Sequence, residues 1–130
     1  MSIFSLIGNL FGSEDQQKPG FKWNELNSEE ELSGILQTSN RKTQVIYKHS
    51  SRCATCYFAQ KNVESISTEK QNQADYYIVD VIGQRPLSMH IADELGIRHE
   101  SPQLFVIKEG KVTWHGSHNQ IIADTVSELV

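Results

Sequence analysis

At 130 residues with 38% hydrophobic content, the chain has the size of one ordinary domain and enough apolar side chains for a single core. Its formal charge of −4 comes from 16 acidic and 12 basic residues with no basic stripe, so it lacks the electrostatic footprint of a nucleic-acid binder. Two cysteines are too few for a disulfide framework, which points to a reducing compartment, the cytoplasm.

The first twelve residues, M-S-I-F-S-L-I-G-N-L-F-G, are apolar enough to raise the question of export. No Lys or Arg precedes the apolar run, no small-residue cleavage pattern follows it, and it is too short to cross a bilayer, so neither a signal peptide nor a membrane span is expected. Ile3, Phe4, Leu6, Ile7, Leu10 and Phe11 recur at helical spacing, which predicts a short amphipathic helix that docks on protein, since its polar face lacks the basic residues of a membrane-surface helix. The polar stretch Ser13 to Gly20 ends in Pro-Gly and reads as a linker. Residues 1–20 are therefore set apart from a folded domain over residues 21–130.

After Phe21 to Leu26, Asn27 or Ser28 caps a helix with acidic residues in its first turn and Leu32, Ile35 and Leu36 on its buried face. Trp23 is expected to pack where that helix begins. Thr43 to Tyr47 reads as a strand, Lys48 to Arg52 as a loop, and a helix starts at or near Cys53 and continues through Phe58, Val63 and Ile66. It dissolves in the polar run S-T-E-K-Q-N-Q. Asp75 to Ile82 is a strand with the apolar run of a sheet interior. Gly83 to Pro86 turns into a helix that starts at Pro86 and stops at Gly96. Strands Gln103 to Lys108 and Lys111 to His115 form a hairpin about Glu109-Gly110, and a helix from about Asn119 to Leu129 closes the chain. Strands alternating with helices pair in parallel and the hairpin adds antiparallel strands, so the fold class is α/β with a mixed central sheet, helices on both faces, and a C-terminal hairpin plus helix.

The two cysteines, Cys53 and Cys56, fall in K-H-S-S-R-C-A-T-C-Y-F-A-Q-K, where strand gives way to helix. A disulfide across two intervening residues constrains almost nothing in the unfolded chain, which removes a stapling role. The nearest match to a second zinc-ligand pair, His115 and His118, has the wrong spacing for a finger, and no metal site is expected. A chemical role is well founded for Cys53, because backbone N–H groups at a helix start stabilise a thiolate, and Arg52 and Lys48 add positive charge. Cys56, one turn later, is placed either to attack a mixed disulfide on Cys53 or to be a small buried side chain. His49 is a candidate for proton transfer or a solvated bystander. Ser101-Pro102, at the start of a strand facing the C-x-x-C loop, is where a cis peptide would present an open backbone edge to a substrate chain.

With these residues in place the chain resembles the thioredoxin-like superfamily, and more closely the bacilliredoxins of the YtxJ type, small bacterial proteins of the bacillithiol system described as monothiol. Y-K-H-S-S-R-C (Tyr47 to Cys53), H-E-S-P-Q (His99 to Gln103) and I-K-E-G-K-V-T-W-H-G-S-H (Ile107 to His118) carry the resemblance. It implies a thioredoxin-like fold, Cys53 as the active thiol, Pro102 as a cis-proline, and removal of bacillithiol, or a similar low-molecular-weight thiol, from mixed disulfides on proteins. No bound cofactor is implied; the small thiol is a co-substrate. The partners are S-thiolated client proteins and a recycling thiol or reductase. Two departures stand out. Cys56 occupies the position where the family usually has serine, and Tyr47, six residues before Cys53, stands where thioredoxins keep a buried acid. A general protein disulfide reductase is the nearest alternative; a soft-metal module that clips copper(I) or zinc between the two thiols belongs to a different class.

Overall fold

The computed structural model describes residues 20–130. The expected helix over Ile3 to Phe11, and nearly all of the linker after it, lie outside the described residues. In chain order the domain runs β1 (Asn24–Glu25), α1 (Glu29–Thr38), β2 (Thr43–His49), α2 (Ala54–Glu64), α3 (Thr68–Asn72), β3 (Ala74–Asp80), α4 (Arg85–Leu95), β4 (Gln103–Lys108), β5 (Lys111–Ser117) and α5 (Ala123–Leu129).

The five strands form one sheet in the order β1-β3-β2-β4-β5. β1 and β2 pair with β3 in parallel, whereas β4 is antiparallel to both β2 and β5. Because β2 is central and covered on both faces, five consecutive residues from Gln44 to Lys48 are buried. Alternate residues of β2 face opposite cores. Val45 and Tyr47 join Ala59 and Val63 of α2 and Val126 of α5. Ile46 joins Leu32 and Ile35 of α1 and Leu87 and Ile91 of α4.

Local signals end the elements where the sequence predicts. Ser28 Oγ accepts from the Glu31 N–H at 3.1 Å while Glu31 Oε1 accepts from the Asn27 N–H at 2.7 Å, a reciprocal cap on α1. Gly96 ends α4 at φ 69°, and the hairpin turn uses Glu109 at φ 53° and Gly110 at φ 76°.

Several features differ from expectation. β2 continues through Lys48 and His49, into the expected loop, β3 ends at Asp80 instead of Ile82, and β5 runs on to Ser117. β1 is two residues long, too short to show a periodic pattern, and exists because it pairs with Tyr77 and Ile78 of β3. The polar run after α2 folds as α3, capped by Ser67 Oγ accepting from the Lys70 N–H at 3.2 Å. The last helix starts only at Ala123: His118–Gln120 is a 3₁₀ turn, and the extended Ile121 turns its side chain fully into the core. Trp23 packs not at the start of α1 but across the other face of the sheet, stacked on Tyr47 at 5.6 Å with its indole N–H donating to Glu64 Oε2 at 2.7 Å.

Candidate active site

The site forms where β2 ends and α2 begins. His49 closes the strand, Ser50 to Arg52 cross over its end, and Cys53 is the N-cap of α2. In that position the Cys53 sulfur takes the place of a capping oxygen and accepts from the Cys56 N–H at 3.3 Å. One turn of helix then carries the two thiols into opposite environments: Cys53 is partly exposed and Cys56 is fully buried.

That difference sets their acidity. The Cys53 thiol is held below its ordinary value, chiefly by a hydrogen bond from the Cys56 thiol and further by donors on Cys56 and Thr55. Burial pushes the Cys56 thiol up, offset in part by the Ser101 hydroxyl, whose Oγ lies 3.5 Å from Cys56 Sγ. Cys53 therefore loses its proton first, and Cys56 keeps one to donate.

The Ser101–Pro102 peptide is cis, and Pro102 is buried at the foot of β4. The Pro102 carbonyl accepts from the His118 N–H at 3.2 Å, while Gln103 Oε1 accepts from the Glu100 N–H at 3.1 Å. These bonds tie down the loop that brings Ser101 to the thiol pair.

Lys48 does not supply charge beside Cys53. Strand alternation turns its side chain to the opposite face of the sheet, where it is fully buried and donates to the Ser88 carbonyl and to His99 Nδ1, each at 3.0 Å. Burial there pushes its pKa down to about 8. Arg52 is exposed on the loop, and the groups that lower the Cys53 thiol are hydrogen-bond donors within the first turn of α2, so the expected help from both cations gives way to local donors. His49 lies on the Tyr47 face, its Nδ1 buried without a partner and its pKa lowered by burial against the opposing pull of Asp80 and Glu64.

The residue least legible in the sequence is Tyr47. Its hydroxyl donates to the Cys56 carbonyl at 2.6 Å, and burial together with the nearby thiols pushes its pKa up, so the phenol stays neutral. It is therefore a hydrogen-bond anchor for the first turn of α2 and not a base. The β-rich pattern of Thr43 to Tyr47 marks it as a core aromatic, and only packing shows what its oxygen meets.

Among the described residues no group of three or more His, Cys, Asp or Glu side chains is arranged to hold a metal ion. No described helix is long and apolar enough to cross a membrane.

Comparison with solved structures places this geometry among thioredoxin folds. A protein with a thioredoxin fold, provisionally described as an oxidoreductase, is 25% identical with a TM-score of 0.71, covering 82% of this chain and 91% of its own. Thioredoxin Mala s 13 of Malassezia sympodialis is 22% identical with a TM-score of 0.67, covering 86% and 94%. A mutant thioredoxin from Halobacterium salinarum is 19% identical with a TM-score of 0.64, covering 88% and 92%. The fold is thioredoxin-like. The family model of the monothiol bacilliredoxin BrxC matches residues 24–126, from the first strand to the last helix. With nearly the whole described domain inside that match, the chain belongs to the monothiol bacilliredoxin family, in the thiol oxidoreductase class, and carries a second thiol within it.

Proposed function

We propose that the protein removes bacillithiol, or a similar low-molecular-weight thiol, from mixed disulfides on cytosolic bacterial proteins. The observation that carries this reading is the unequal pair of thiols: Cys53 partly exposed with a lowered pKa, and Cys56 buried with a raised one. A nucleophile must reach solvent as a thiolate, whereas a resolving thiol needs only to reach its neighbour.

In the first step the Cys53 thiolate attacks the small-thiol sulfur of the modified protein. A disulfide forms between Cys53 and the small thiol, and the client cysteine leaves as a thiolate. In the second, the Cys56 thiolate attacks Cys53 Sγ, the small thiol leaves and takes up a proton, and Cys53 and Cys56 become a disulfide. The two electrons that restore both thiols come from a recycling thiol or reductase. Alternatively, a second small thiol removes the adduct from Cys53 directly, without Cys56.

The test is intact-mass analysis over time of wild type, Cys53→Ser and Cys56→Ser, each mixed with a client carrying bacillithiol, glutathione or coenzyme A. Cys56→Ser is expected to strip the client and accumulate a one-to-one adduct, wild type to pass through that adduct to an internal disulfide, and Cys53→Ser to do neither. Faster reduction of an unmodified protein disulfide than of any small-thiol adduct would replace this reading with a general disulfide reductase.

A further inference from the structure

Among the described residues, Tyr57 and Phe58 are the most exposed of the large apolar side chains, at 54% and 64%. They form an edge-to-face pair with ring centroids 5.4 Å apart, directly after Cys56 in the first turns of α2. An aromatic patch on a helix whose other face already fills the core is a surface waiting for a partner.

A continuous row of contacts leads from that patch to the point where the chain enters the domain. Lys61 Nζ lies over the Tyr57 ring, 5.5 Å from its centroid, and pairs with Glu64 Oε1 at 3.6 Å. The other Glu64 oxygen accepts from the Trp23 indole N–H. Residues 57, 61 and 64 share one helix face, and at its foot Gly20 and Phe21 line a groove together with Lys61 and Glu64. Everything before Gly20 thus starts at the bottom of a row topped by Tyr57 and Phe58.

Distance presents no obstacle. The seven residues from Tyr57 to Glu64 rise about 10 Å along the helix. The nine residues from Phe11 to Gly20 span up to about 30 Å when extended. Residues 3–11 carry six apolar side chains at helical spacing and no charge, so they bring nothing that an aromatic patch would repel. A tether of this length gives an effective concentration on the order of millimolar, so even weak intrinsic affinity suffices.

We propose that residues 3–11 dock on Tyr57 and Phe58 of the same chain.

The experiment uses the full chain with Phe58 replaced by photoreactive benzoylphenylalanine, irradiated at low concentration after alkylation of the cysteines. The expected product has monomer mass, and trypsin, which spares the Lys18–Pro19 bond, gives peptide 1–22 joined to peptide 53–61. Introducing Phe4→Asp and Ile7→Asp into that same full chain is expected to lower the yield about five-fold or more, since charge in the apolar stripe opposes docking. A product of dimer mass overturns the proposal and assigns the patch to self-association. Absence of a link to residues 1–22, or an unchanged yield in the double variant, overturns it as well.

Discussion

The Tyr47 hydroxyl donates a 2.6 Å hydrogen bond to the Cys56 carbonyl, fastening the end of β2 to the first turn of α2 inside the core. Tyr47→Phe removes the donor and keeps the ring that stacks on Trp23. The expected cost is about 0.5 to 1.5 kcal/mol, the net worth of one buried neutral hydrogen bond. Urea denaturation of the reduced proteins measures it; equal midpoints for the two would mean that the bond carries no net stability.

The Cys53 thiol is lowered chiefly by the hydrogen bond that Cys56 gives it. Its thiolate fraction, and with it the rate of alkylation, falls as pH drops through that lowered value. Wild type should therefore show a midpoint below the ordinary cysteine value of about 8.5. Cys56→Ala removes the donor and moves the midpoint up, whereas Cys56→Ser retains a hydroxyl donor and stays nearer wild type. Iodoacetamide rates against pH, read at Cys53 by peptide mass, check all three. Superimposable profiles for wild type and Cys56→Ala would rule out the thiol–thiol hydrogen bond as the cause.

Ser101 is the side-chain donor that most offsets the burial of Cys56. Ser101→Ala leaves Cys56 with a still higher pKa and so a smaller thiolate fraction at neutral pH. The Cys53 adduct should then resolve more slowly, while the initial attack by Cys53 keeps its rate. Mass time courses separate the two steps; slowing of both would point to a disturbed loop instead of a lost hydrogen bond.

Lys48 is a buried ammonium whose pKa, about 8, lies below the value of about 10.4 expected in the unfolded chain. The folded state therefore binds fewer protons between those values. The cost of burying the charge is fully present at pH 7 and is relieved as pH rises through that window. Lys48→Met removes this titration, so wild type should gain stability relative to the variant between about pH 7 and pH 10. Urea midpoints of both proteins at the two ends of the window test the sign, and a constant difference would show that Lys48 does not titrate low.

Local chemistry in the sequence determines much of this protein. Ser28 caps a helix because its hydroxyl reaches the Glu31 N–H, Gly96 ends one because it adopts positive φ without penalty, and Glu109-Gly110 turns the hairpin. The same kind of reading places Cys53 at a helix start with Cys56 one turn on and sets Ser101-Pro102 ahead of a strand, because periodicity and punctuation act over a few residues. Tertiary structure alone decided what each of those side chains meets. Adjacent residues of one strand part ways, Tyr47 toward α2 and Lys48 toward α4, and no local rule tells which core lies on which side. Cys56 is buried and Tyr57 exposed at neighbouring positions of one helix, since only one face of α2 meets the sheet. Ser101 reaches Cys56 across 45 positions of sequence through strand pairing that local pattern does not encode, and β1 exists only because β3 is there to pair with it. The acidity of the two thiols follows from burial and from donors brought by other elements, and those are properties of the assembled fold.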